Sequence, residues 1–376
     1  MVFNKFKKIL ILCLIISIII IMCTLTITGV FYFKEKFNTS NSIDNIINSN
    51  TSGEEFFNQI SNISTEELAK DSEKDKSYIK WVDFKGTAAV LKKLADVDIN
   101  SHIENEQVKF NWIELMAYLG CKYGGDLSLF KETDLENLLN NLREGKTMAE
   151  LTANMKLYNY FFQSYDAIFH EYIGEYEITK FDEKDNNTYV KQYGLKVFSP
   201  IAKNYYFSHY KDFGSARSYG YRRVHLGNDL LGSIGTPIIA VESGYVEALG
   251  WNQYGGWRVG IRSFDGKRYY YYAHLRKDHP YAKDLSEGQI VTAGDVIGYL
   301  GMTGYSSHEN VNNINIPHLH FGVQLIFNEV QKDGNNQIWI DVYEIIEYLK
   351  RNSSQVYMAY PETKDYERKF DMMQNE

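Results

Sequence analysis

Cysteine is scarce in this chain of 376 residues, occurring only as Cys13, Cys23 and Cys121. Two of the three lie inside an apolar N-terminal run, so no disulfide framework can be read from them. Cys121, in an apolar helical context, reads as a small buried side chain rather than a nucleophile. Clustered positive charge is also missing: 40 Lys and Arg face 48 Asp and Glu, for a net charge of −8. Without a basic stripe to neutralise phosphates, nucleic acid is excluded as the main partner. There is no GxSxG sequence, and the nearest approach to HExxH fails, because Gly174 stands where His170-Glu171 would need its second histidine. Acids such as Glu242 and Asp295 are not grouped into the paired-carboxylate cleft that glycan hydrolysis requires.

Aromatic residues are plentiful, led by 30 tyrosines, which suits strand-rich structure and a wet binding groove. Residues 9–33 are almost free of charge, long enough to cross roughly 30 Å of hydrocarbon as a helix. Lys5, Lys7 and Lys8 precede that run, which favours an N-terminus in the cytoplasm and the rest of the chain outside. A cleaved signal peptide is the alternative, against which the run is longer than a normal apolar signal core and ends without a small-x-small cleavage site. The expected organisation is a cytoplasmic stub and transmembrane anchor over 1–36 and a polar linker over 37–75, its Ser- and Asn-rich start acting as a tether. A helical region follows over 76–176, then a second linker over 177–196.

Within the helical region, Thr133 and Glu136 have capping-box spacing ahead of Leu135, Leu138, Leu139 and Leu142. Thr147 and Glu150 repeat the spacing, and Met148, Leu151, Met155, Tyr158, Phe162, Tyr165 and Phe169 follow on one face, predicting a long helix that ends at Gly174. This stripe reads as core, with docking of a protein partner as its alternative. His170 reads as structural or exposed.

After residue 197 the pattern changes to short apolar and aromatic runs divided by glycines. Strands are expected over 236–241, 244–249, 257–263, 268–273, 296–300 and 318–327, with Asp265-Gly266 as a two-residue type I′ hairpin turn. This is a mainly antiparallel β domain, placed over 197–330, and a C-terminal helix and polar tail over 331–376 complete an α+β chain.

Four histidines and one aspartate stand in distinctive settings here: His225 and Asp229 in Val-His-Leu-Gly-Asn-Asp, His274 in Tyr-Tyr-Ala-His-Leu, and His318 and His320 in Pro-His-Leu-His-Phe. On a strand, His318 and His320 project to one face about 7 Å apart, so one can hold a metal while the other stands beside the nucleophilic water. Two imidazoles and one carboxylate are a common catalytic zinc set that leaves a position open. Zinc lowers the pKa of water towards about 7 and polarises a carbonyl. A neighbouring imidazole, with its ordinary pKa of about 6.5, suits proton transfer.

With Gly235-Thr236-Pro237, Gly244-Tyr245-Val246, Tyr254-Gly255-Gly256, Gly294-Asp295-Val296-Ile297-Gly298 and Gly301-Met302-Thr303-Gly304, these motifs make residues 198–327 resemble the M23 family of zinc metallopeptidases, the lysostaphin-like or LytM-type domain. The resemblance implies one Zn2+ per chain held by His225, Asp229 and His320, with His274 and His318 as catalytic histidines and Tyr219 as an oxyanion-stabilising tyrosine. It further implies a groove formed by loops around a β-sheet and peptidoglycan peptides as substrate. The segments 217–225 and 251–258, with the anchor and helical region, are similar to a sporulation-linked branch that cleaves the L-alanyl-D-glutamate bond of cortex stem peptides. The expected activity is therefore that of a membrane-anchored peptidoglycan endopeptidase. The alternative from a different class is a non-catalytic, membrane-tethered assembly or hydrolase-activating protein, a use that ordinarily accompanies loss of ligands.

Overall fold

The computed structural model describes residues 79–82, 84–104, 106–180, 188–217, 223–327 and 337–374, all within one compact unit of residues 74–376. A short strand, β1 (Ile79–Val82), precedes five helices: α1 (Ala88–Ile103), α2 (Trp112–Lys122), α3 (Glu132–Arg143), α4 (Met148–Thr152) and α5 (Tyr158–Phe169). Side-chain caps open three of them and satisfy backbone donors that have no partner inside the helix. The Thr87 hydroxyl accepts from Val90 N–H at 3.2 Å, Asn111 accepts from Ile113 and Glu114, and Thr147 with Glu150 forms a reciprocal capping box. Leu91, Leu94, Leu115, Met116 and Leu135 are fully buried between these helices. Trp112 packs on Phe169 with ring centroids 5.0 Å apart.

The chain continues through strands β2 (Ile173–Lys180), β3 (Thr188–Leu195), β4 (Ala216–Arg217), β5 (Arg223–Val224), β6 (Asn228–Leu231), β7 (Pro237–Ile239) and β8 (Gly244–Asn252). Then come β9 (Gly256–Ser263), β10 (Arg268–Ala273), β11 (Ile290–Val291), β12 (Val296–Tyr299), β13 (His318–Leu325), β14 (Gln337–Ile340), helix α6 (Tyr343–Leu349), and β15 (Val356–Tyr360), β16 (Asp365–Arg368) and β17 (Met372–Met373). The main sheet has eight strands in the order β1-β14-β13-β10-β9-β8-β11, with β6 also pairing β13. All its pairs are antiparallel except β1 with β14. One row of the sheet carries the site: Asp229 of β6 lies opposite His320 of β13, and His320 lies opposite Ala273 of β10.

Helices and sheet share one apolar core, whose buried residues run from Phe84 and Leu91 through Phe169, Tyr270 and Phe321 to Leu349. At their junction the fully buried Arg268 makes a two-point ion pair with Glu242, at 2.8 and 2.9 Å, and donates to the Ala167 carbonyl at 3.1 Å. This ties the last turn of α5 to the sheet.

Several expectations are corrected. The first of the two capping boxes is absent: α3 begins at Glu132 after Lys131, which makes no side-chain cap, so Thr133 and Glu136 lie inside the helix. The second box is present, but the helix it opens is only five residues long, and α5 ends at Phe169 with His170 as its C-cap. Gly174 lies in β2 instead. The expected linker over 177–196 is occupied on both sides of residues 181–187 by the antiparallel pair β2–β3. The region over 76–176 also has strand at both ends, in β1 and β2. The polar tail forms the β15–β16 hairpin, and β17 pairs with β2, because Met372 is buried there against Phe198 and Ile239. In the 265–266 turn only Gly266 has positive φ, at 72°. The turn therefore spans four residues, closed by Gly266 N–H to Ser263 O at 2.9 Å, and is not of type I′. No helix among the described residues is long and apolar enough to cross a membrane. Residues 9–33 lie outside the described residues, and so does Tyr219.

Candidate metal centre and active site

His225 follows β5, Asp229 is in β6 and His320 is in β13, and the β6–β13 ladder brings the last two side by side. Their donor atoms form a nearly equilateral triangle. His225 Nε2 is 3.0 Å from Asp229 Oδ1 and 3.1 Å from His320 Nδ1, and His320 Nδ1 is 2.9 Å from the same carboxylate oxygen. A cation slightly off the plane of such a triangle reaches all three corners at the roughly 2.0–2.2 Å of zinc bonds to nitrogen and oxygen. Size and donor type therefore both fit a divalent metal of the zinc class, and among the described residues this is the group whose atoms could hold one.

The charges around the triangle are arranged for that use. Burial alone would raise Asp229, but hydrogen bonds from His225 and His320 outweigh it and hold the carboxyl well below the usual range. Burial pulls His225 down, yet Asp212 and Asp229 together push it up to about 9. Burial lowers the proton affinity of His320. A supporting layer fixes the ligands. His225 Nδ1 lies 3.3 Å from both the carbonyl and a carboxylate oxygen of Asp212, so an Nδ1–H donating there leaves Nε2 bare. Asn228, fully buried, donates to the Tyr210 carbonyl at 2.7 Å and to Asp212 at 3.4 Å, while its carbonyl oxygen meets His209, which is bonded in turn to Glu347 of α6. Arg217 pairs with Asp212 and stands 3.3 Å from Asp229.

His274 and His318 stand beside the triangle. Their ring centroids are 4.8 Å apart, and His318 Nε2 is 3.7 Å from Asp229 Oδ1. Each ring is oriented through Nδ1, His274 donating to the Thr303 carbonyl at 2.9 Å and His318 to the Ile316 carbonyl at 2.8 Å. Both Nε2 atoms are thereby bare acceptors. His274 is buried at a backbone φ of 65°, uncommon for a non-glycine residue and held here by the short bond from its N–H to Gly255 O, 2.7 Å. Burial, reinforced by the charges of His318 and His320, depresses its proton affinity well below the ordinary value. All five groups open on one cavity of about 1010 Å³.

Thus the structure brings together His225, Asp229, His274, His318 and His320, with His318 and His320 on one face of β13 as their spacing predicts. Asp212, Arg217, Asn228 and His209 were not legible as members of the site. Arg217 belongs to the 217–225 segment and Asn228 to the Leu-Gly-Asn-Asp motif, but nothing in the spacing reveals what they touch. Gly227 stands between His225 and Asp229. Its backbone is not in the left-handed region. Small size is what it supplies, because a β-carbon there would meet His320 Cε1 and Nε2 at 2.7 Å.

Residues 223–334 match peptidase family M23. Over 159 residues the chain is 36% identical to the L-Ala--D-Glu endopeptidase of Bacillus subtilis (strain 168), covering 40% of this chain and 44% of that protein. Over 99 residues it is 38% identical to lysostaphin of Staphylococcus simulans, covering 26% and 17% respectively. The solved catalytic domain of the antimicrobial peptidase lysostaphin from the same organism is 29% identical over 38% of this chain and 93% of that one, with a TM-score of 0.29. The chain spans less than half the length of either curated relative.

Proposed function

With residues 223–334 forming a domain of peptidase family M23, we propose that this protein is a zinc endopeptidase acting on peptidoglycan peptides. The observation that carries the reading is the triangle of His225 Nε2, Asp229 Oδ1 and His320 Nδ1 with two further imidazoles alongside. When bound there, zinc supplies a Lewis acid that polarises a peptide carbonyl and acidifies water. In this reading His225, Asp229 and His320 hold the ion, and Asp212 keeps the His225 ring in the tautomer that exposes Nε2. His318 presents a bare Nε2 to the groove and accepts the proton of the attacking water. His318 then gives that proton up to the departing amine, and His274, whose burial makes it a poor proton holder, keeps a neutral ring beside it. Tyr219, on sequence grounds alone, supports the oxyanion.

The finer reading is cleavage of the L-Ala–D-Glu bond during sporulation, supported for the bond by the 36% identity to an endopeptidase of that name and for sporulation by the resemblance of segments 217–225 and 251–258 alone. We place the domain outside the cell membrane on a single N-terminal span over residues 9–33, supported by their length, their apolarity and the lysines that precede them. The test is incubation of the purified full-length protein with peptidoglycan, counting new amino termini and identifying products by mass spectrometry. New termini at one kind of peptide bond support the reading. A zinc-loaded, folded protein that releases none, or that releases reducing sugar ends, overturns it.

A further inference from the structure

Two strands away from the metal triangle the same groove contains a cation with an unused donor. Arg258 of β9 lines the cavity, and its Nε is buried without a hydrogen-bond partner. It forms no ion pair among the described residues. The nearby carboxylate of the same sheet, Glu247, is gripped by Arg262 at 2.6 and 3.2 Å. What surrounds Arg258 instead are the hydroxyl-bearing rings of Tyr269 and Tyr271, the first within hydrogen-bonding reach of the guanidinium. A buried guanidinium donor left unsatisfied is destabilising, so its retention in a groove points to an acceptor that arrives from outside.

The sheet register says where that acceptor belongs. His320 lies opposite Ala273, and the pairing of Tyr272 with Val259 sets Arg258 beside Ala273, with Gly250 on its other flank. His320, Ala273 and Arg258 thus form one row on one face, with a methyl group between the imidazole and the guanidinium. At the usual strand spacing Arg258 stands about 10 Å from His320, within about three residues of an extended peptide whose reacting carbonyl is at the triangle. A planar guanidinium is shaped to grip a carboxylate at two points.

Resting on the peptidase reading above, we propose that Arg258 forms a subsite for a free carboxylate on the substrate peptide close to the bond cut, selecting acidic stem peptides over glycyl ones. The test is the kcat/KM of the zinc-loaded full-length protein on two matched stem peptides containing Ala–D-Glu, one with the free glutamate carboxylate and one with that group as carboxamide. The wild type is expected to favour the carboxylate peptide roughly tenfold or more, mostly through KM, as suits loss of one charge-assisted pair. Arg258→Gln is expected to erase the difference. Equal cleavage of both peptides by the wild type, or an undiminished preference in R258Q, overturns the proposal alone. Cleavage of neither by protein that still releases amino termini from whole peptidoglycan overturns the L-Ala–D-Glu reading and this proposal with it, whereas release of none there either overturns the peptidase reading as well. The wild-type comparison is decisive by itself should R258Q fail to fold.

Discussion

Gly227 lies against the ring of His320 so closely that a β-carbon at 227 would stand 2.7 Å from both Cε1 and Nε2, with the Phe321 carbonyl oxygen at the same distance. Neither neighbour can yield cheaply, since one is tied to Asp229 and the other is backbone. Gly227→Ala is therefore expected to swing His320 off the triangle and weaken zinc binding roughly ten- to hundredfold, the scale of disturbed ligand orientation. Competition with a zinc chelator measures this, and unchanged affinity contradicts it.

Removing a ligand and removing a proton carrier should separate cleanly. Asp229→Ala takes away the oxygen that meets both imidazoles and is expected to abolish stoichiometric zinc. His318→Ala leaves the triangle whole and is expected to retain one zinc while turnover falls by about two to four orders of magnitude. Elemental analysis alongside amine release reads both, and equal metal loss in the two variants would overturn the division of roles.

In metal-free protein His225 has its pKa raised from 6.5 to about 9: burial opposes the rise, and Asp212 and Asp229 outweigh it. Because the folded value lies above the unfolded one, the stability this group contributes is complete below pH 6.5 and disappears as pH climbs through 9. Zinc needs the bare ring, so uptake at pH 7 must expel that proton. Zinc titration in weak buffer with a pH indicator is expected to release about one proton per ion, with affinity that strengthens up to about pH 9. Proton-neutral uptake at pH 7 contradicts this.

Much of the site was legible because its residues are local in sequence. His-x-His on a strand and His-x-x-x-Asp before one carry their geometry in their spacing, and Ala-His-Leu closes the strand between them. The helices were legible where tertiary packing agreed with periodicity, as in α3, whose Leu135, Leu138 and Leu139 are buried. The single long helix failed because α4 closes after one turn and Phe169 turns into a strand that pairs with β3, a partner that periodicity does not reveal. The tail from 362 onward looked polar because only residues such as Met372 are buried, and their partners lie almost 200 positions earlier. The supporting chain Glu347–His209–Asn228–Asp212 was hidden for the same reason.

The expected separation into two domains gave way to a shared core, and Arg268 shows how they are joined. Its two-point bond to Glu242 is buried, and Ala167 of α5 supplies a third acceptor. Glu242→Gln leaves the guanidinium with only the Asp265 carboxylate, 3.2 Å away, as its charged partner and is expected to cost about 1.5–3 kcal/mol, seen as an earlier and still single unfolding transition in urea. Separate transitions for helices and sheet would contradict the shared core, and a loss below about 1 kcal/mol would make the pair ornamental.

The central claim is that one zinc ion in the His225–Asp229–His320 triangle enables peptide hydrolysis. Its most direct test is to strip the purified protein of metal and add zinc back stepwise while counting new amino termini released from peptidoglycan. No release is expected without metal, and full release on saturation with one ion per chain. Undiminished release by the stripped protein, or recovery that ignores the Asp229→Ala substitution, would contradict it.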